Sequence, residues 1–184
     1  MVKVDIREKR FGEKEVFEDL VFTLPKAGIY AVTGASGRGK TTLLNMIAGI
    51  DKDYKGSVAA EGSISYVFQE DRLLPWLNAL ENVTFVCRDS KKAADMLKRL
   101  GLEKEITSRI SELSGGMKRR VAIARALAAD YDILLLDEPF SSVDEGMKQR
   151  IMDTVKELTA GKLVILVTHD AREAEYLGAE KIEL

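Results

Sequence analysis

The densest cluster of chemistry-bearing residues in this chain is Gly34-Ala35-Ser36-Gly37-Arg38-Gly39-Lys40-Thr41, followed by Thr42. Glycines at this spacing let successive backbone N–H groups turn inward to form a nest the size of a phosphate. A helix beginning at the loop adds the positive end of its dipole. Lys40 would put a mobile cation on β- and γ-phosphates, and Thr41 would offer a hydroxyl oxygen to Mg²⁺, a hard ion that keeps several waters. The pattern predicts a nucleotide-phosphate cradle. Arg38 does not spoil it, because the nest is built from backbone groups and the side chain can point outward.

A second cluster closes the apolar run Ile133-Leu134-Leu135-Leu136-Asp137-Glu138. Two carboxylates at the carboxyl end of a buried strand sit where ligands bind in an open α/β sheet. Asp137 is assigned to the metal, through water, and Glu138 to the attacking water as general base. Taken alone, the segment reads better as a solvated acidic turn after a core strand; beside the phosphate loop it does not. Phosphoryl transfer needs positioning and charge neutralisation more than covalent chemistry, so other polar groups able to reach a γ-phosphate are sought. Gln69 follows one short strand, and His169, the single histidine, follows another. Ser114-Gly115-Gly116 opens a helix, offering a hydroxyl and backbone N–H groups to an anion.

The elements that must carry these residues are legible from periodicity. Val2 to Arg7 and Val16 to Leu24 alternate partially, as half-buried antiparallel strands do. Ile29 to Thr33 is a short apolar strand into the glycine loop, and Thr42 to Ala48 has helical spacing up to Gly49. Ile64 to Phe68 is a further strand. Helix is predicted over about Asn78 to Leu102, with Ser90 as an N-cap and Gly101 as a stop. Helices at Gly115 to Ala129 and Glu145 to Leu158 alternate with the strands Ile133 to Leu136 and Leu163 to Thr168. Such alternation predicts a parallel sheet covered on both faces. The basic run Lys118-Arg119-Arg120 reads as a solvated helix face.

At 184 residues the chain is one domain with room for a small inserted lobe. Hydrophobic residues make up 46% and charged residues 32%, which excludes a disordered chain. A net charge of -2 provides no cationic field for a polyphosphate backbone, so nucleic acid is not an expected partner. The one cysteine, Cys87, excludes an intramolecular disulfide or a Cys-based zinc cluster and reads as a buried small hydrophobe. There is no apolar run of membrane-spanning length, and the first residues alternate like a strand rather than forming a signal peptide. The expected location is the cytoplasm, with docking on a membrane protein.

Together these segments resemble the nucleotide-binding subunit of ABC transporters over nearly the whole chain. Residues 34–41 match Walker A, Gln69 the Q-loop, Leu113-Ser114-Gly115-Gly116-Met117 the signature, and Ile133 to Glu138 Walker B. Ser141-Ser142-Val143-Asp144 match the D-loop and His169 the switch histidine. The resemblance implies the ABC variant of the α/β P-loop NTPase fold: a mainly parallel core over 1–69 and 115–184, an N-terminal antiparallel β subdomain, and a helical subdomain over about 70–114. It implies ATP and Mg²⁺ as cofactors, with Gln69 also at the metal. It implies an ATP-dependent head-to-tail homodimer in which Ser114, Gly116 and the D-loop Asp144 of one copy approach ATP held by Lys40 and Thr41 of the other. An integral-membrane permease and a solute-binding protein would complete the assembly, placing the chain on the cytoplasmic face of the cell membrane. Phe11 lies where the family carries an adenine-stacking aromatic; packing is the other reading of that position.

Gln69 to Trp76 and Leu80 to Val83 look most like the importer branch for nitrate, sulfonate and taurine. Leu73, Leu74 and Trp76 read either as packing of the helical lobe or as an apolar docking surface. Met117 departs from the usual glutamine of the signature. The family's importer subunits continue beyond the point corresponding to Leu184, so C-terminal regulation is not expected of these residues. An ATP-switched binding module with little turnover is the alternative function. A non-transport ABC ATPase of DNA repair or ribosome function is less apt, since no coiled coil, zinc hook or second cassette is evident.

Overall fold

The computed structural model describes all 184 residues, as two sheets with six α-helices around them. Strands β1 (Val2–Phe11), β2 (Lys14–Leu24) and β4 (Lys55–Ala60) form an antiparallel sheet with β1 in the middle, Val4 standing opposite both Phe22 and Val58. Strands β3 (Gly28–Thr33), β5 (Ile64–Val67), β6 (Ile133–Asp137), β7 (Leu163–Val167) and β8 (Glu180–Glu183) form an all-parallel sheet in the order β5-β6-β7-β3-β8. Such a sheet needs both faces covered, which is why β6 and β7 are buried throughout and, up to Asp137 at the end of β6, apolar.

Alternate residues of these strands feed two separate cores. Ile133, Leu135, Leu163 and Ile165 face α1 (Lys40–Ile47) and the β1 residues Val2, Val4 and Ile6. Leu134, Leu136, Val164 and Leu166 face the larger core, built with α2 (Ala79–Cys87), α3 (Ser90–Arg99), α4 (Gly115–Ala128) and α5 (Glu145–Leu158). The last helix, α6 (Ala171–Leu177), leads into β8.

The predicted helix over 78–102 is two helices. Arg88 adopts a left-handed conformation (φ 55) and ends α2. Asp89, not Ser90, caps α3, its carboxylate accepting from the N–H groups of Lys91 (2.9 Å) and Lys92 (3.0 Å). Cys87 is half-buried rather than buried, with its thiol against the Asp89 carbonyl at 3.2 Å. The largest correction concerns the basic run on α4. Arg119 is 1% exposed, and Arg120 donates to the carbonyls of Leu100 (3.0 Å) and Gly101 (2.8 Å). Neither belongs to a solvated face, because backbone carbonyls left free at loop ends supply the acceptors that let Arg119 be buried and Arg120 half-buried. β4 and β8 were not foreseen from the sequence.

Candidate functional site

The glycine loop leaves β3 and ends at Gly39, which caps α1 in a left-handed conformation (φ 88). A Cβ there would lie 2.4 Å from Val16 Cγ1 and 2.7 Å from Phe17 Cζ, so β2 presses on the loop and only glycine fits. Lys40 turns its ammonium back over the loop, donating to the carbonyls of Gly34 (2.9 Å) and Ala35 (3.0 Å). Arg38 is exposed, and its backbone N–H donates to the Ala35 carbonyl at 3.3 Å. The expected outward side chain and the backbone turn therefore coexist.

Beside this loop lies a cleft of about 350 Å³ that brings together Phe11, Lys40, Thr41, Gln69, Asp137 and Glu138. They come from the ends of β1, β5 and β6 and from the start of α1. Asp137 is 1% exposed, and neither carboxylate oxygen has a hydrogen-bond partner. Burial pushes this carboxyl above the usual range; the nearby Thr41 hydroxyl opposes the shift and Glu138 reinforces it. Two orphaned oxygens beside a threonine hydroxyl are donors of the kind a hard cation takes. No group of three His, Cys, Asp or Glu side chains stands ready to hold a metal, so phosphate oxygens and water would have to complete such a shell.

Glu138 follows in a left-handed conformation (φ 48), rare and strained for a residue with a side chain. From this turn its carboxylate Oε2 meets His169 Nδ1 at 2.7 Å. His169 stands on the loop after β7, which is anchored through the neighbouring Thr168. That hydroxyl donates to buried Glu173 at 2.5 Å, and Glu173 is bridged in turn by Lys148 at 3.0 Å. The structure thus places a carboxylate and an imidazole in contact at the cleft edge, as a general base and its orienting partner require.

Phe11 is 55% exposed at the cleft rim, and the Lys9 ammonium lies 4.5 Å from its ring centroid. Lys9 itself is buried, held by Asp51 at 2.9 Å and the Asp53 carbonyl at 2.6 Å. Sequence reasoning missed it: register irregularities in β1 between Ile6 and Glu8 and between Lys9 and Arg10 interrupt the alternation that would have turned Glu8 inward. It also missed Arg119, although helical spacing from buried Ile123 already put position 119 on an inward face.

Ser114, Gly115, Gly116 and Asp144 do not line this cleft. Ser114 caps α4, accepting from the Met117 N–H at 3.3 Å, and Asp144 caps α5, accepting from the Met147 N–H at 3.0 Å. The two caps are neighbours, since a Cβ on Gly116 would come within 2.8 Å of the Ser142 carbonyl. Within one chain the expected phosphate-binding groups therefore form two separate sets.

Residues 17–141 match the ABC transporter family. An aliphatic sulfonates import ATP-binding protein, SsuB 1 of Xanthomonas axonopodis pv. citri, is 40% identical over 195 residues, covering 96% of this chain and 77% of that protein. The taurine import ATP-binding protein TauB of Escherichia coli O157:H7 is 40% identical over 192 residues, covering 95% of this chain and 75% of its own length. Among solved structures, a dimeric post-hydrolysis state of the ATP-binding cassette MJ0796 bound to ADP and Pi superposes with a TM-score of 0.89 at 31% identity, covering 100% of this chain and 94% of that one. Cleft, fold and relatives agree, and the chain belongs to the ABC transporter family as one of its ATP-hydrolysing cassettes.

Proposed function

We propose that two copies of this chain bind two ATP molecules head to tail and couple their hydrolysis to import of small sulfonates through a membrane permease. The observation that carries the reading is the division of the phosphate-binding groups into two sets on one chain. Gly34 to Thr42 and Asp137 serve the chain's own nucleotide, while Ser114, Gly115, Gly116 and Asp144 are free to serve the partner's. The relatives that are sulfonate and taurine import proteins support the solute class.

In this reading Phe11 stacks on the adenine, Lys40 leaves the loop carbonyls for the β- and γ-phosphates, and Glu138 draws a proton from the attacking water while His169 orients it. Mg²⁺, held by Thr41, Asp137 and Gln69 with water, would neutralise the charge developing on the phosphates. Loss of the γ-phosphate removes what both copies grip, and the dimer opens. Residues 70–114, the inserted helical lobe, pass the motion to the permease, and a solute-binding protein delivers the cargo. No helix is long and apolar enough to cross a membrane, so association with the cytoplasmic face runs through the permease.

The test is purification of the tagged chain from membranes, with ATPase assay of the recovered complex in vesicles. The reading predicts a multispan permease in the complex and turnover raised by alkanesulfonate with its receptor. Recovery of the chain without any membrane protein, or turnover indifferent to every sulfonate, would contradict it.

A further inference from the structure

β5 and β6 run parallel, and their ladder ends at Val67 opposite Leu136. Beyond it the chains diverge, one carrying Gln69 and the other Asp137 and Glu138, and their carbonyls lose the partners the ladder would have supplied. One side chain from α4 fills the gap. Arg119 Nε donates to the Pro139 carbonyl at 3.0 Å, and Nη1 donates to those of Phe68 at 2.5 Å and Gln69 at 3.3 Å. Nη2 donates to the carbonyls of Asp137 at 2.7 Å and Glu138 at 2.8 Å. The facing carboxylate is Asp71, at 3.4 Å.

A guanidinium offers five N–H donors in a rigid plane, whereas a lysine offers three on one atom and cannot span these acceptors. Burial lowers the pKa of Arg119 from its usual value, while Asp71 works to keep it charged. The group is therefore held buried by what it binds, and it binds the two catalytic backbones.

We propose that Arg119 is a positioning residue for ATP hydrolysis, fixing the backbone of Gln69 and of strained Glu138 relative to each other. This rests on the roles given to Gln69 and Glu138 under the proposed function. Arg119 also stands on the helix that Ser114 caps. A displacement of α4 when a partner's nucleotide engages Ser114 is thereby passed to the chain's own Gln69 and Glu138.

The experiment compares Arg119→Lys, Asp71→Asn and Arg120→Lys with the parent protein. Turnover is measured per nucleotide-binding site by titration with a fluorescent ATP analogue, and amide exchange is followed over the whole chain. For Arg119→Lys, kcat falls at least about ten-fold while KM for ATP stays within about two-fold. Exchange accelerates at 68–71 and 138–140. Asp71→Asn, the milder variant, shifts kcat in the same direction by about two-fold to three-fold. Arg120→Lys, on the same helix but away from the cleft, leaves kcat unchanged. Parental kcat and unaltered exchange in Arg119→Lys would overturn the proposal, as would an equal kcat loss in Arg120→Lys. A parent protein without any ATP turnover would instead refute the proposed function, and the exchange comparison would still decide the role of Arg119.

Discussion

Asp137 and Glu138 are adjacent carboxylates with different surroundings, and the division of work proposed for them rests on that difference. Asp137 is buried with both oxygens unpartnered, whereas Glu138 turns through a left-handed conformation to reach His169 at 2.7 Å. A general base typically contributes about 10²-fold to 10⁴-fold, so Glu138→Gln should lower kcat by about that factor. The amide keeps the size and the contacts of the carboxylate, so nucleotide affinity should change by less than about three-fold. Phosphate release and a binding titration check both halves. Near-parental turnover would remove Glu138 from the role of base.

The loop between β5 and α2 must present Gln69 while leading into the helical lobe, and Asn82 holds it. Its carboxamide is fully buried, donating to the carbonyls of Leu74 (3.1 Å), Leu77 (3.4 Å) and Asn78 (3.0 Å) and accepting from the Leu74 N–H (2.9 Å). Asn82→Ala removes the partner of the Leu74 N–H and of the Leu77 carbonyl, while the Leu74 and Asn78 carbonyls keep the N–H groups of Leu77 and Asn82. It should cost about 2 kcal/mol of stability, read as a lower urea midpoint at unchanged m. A shift under about 0.5 kcal/mol would show that the loop stands without it. Much of this architecture was legible beforehand, for reasons that differ by element. β7, and β6 as far as Leu136, are apolar because both faces are covered, and the glycine loop is a local pattern whose chemistry is complete in eight residues. β8, with the sequence Glu180-Lys181-Ile182-Glu183, is legible only through its pairing with β3, and β4 only through its pairing with β1. Lys9 and Arg119 escaped because the groups that pay for their burial lie far away in the chain; a charged side chain read alone is always assigned to solvent. Phe11, Gln69 and the carboxylates meet in one cleft as expected, yet Ser114 does not line that cleft.

The whole molecule is a sheet between two cores, and its stability should show the strain of one buried phenol. Tyr131 is 3% exposed with an unpartnered hydroxyl, and burial pushes its pKa up to about 12. The fold therefore favours the neutral form, so this contribution is full below the unfolded tyrosine value of about 10 and is lost as pH rises toward the folded value. Tyr131→Phe should reduce the alkaline loss of stability and gain about 1 kcal/mol near neutrality, measured by urea unfolding at about pH 8 and about pH 11. A steeper alkaline loss in the variant would contradict the sign. At the same scale lies the claim on which transport depends, that two cassettes close on shared nucleotide. The direct measurement is sedimentation of Glu138→Gln, in which slowed hydrolysis should leave ATP in place, with and without MgATP, alone and combined with Ser114→Arg. On that claim, monomers are expected without nucleotide, dimers with it, and monomers again in the double variant although ATP remains bound. Dimers that ignore both nucleotide and Ser114→Arg, or monomers under every condition, would contradict it.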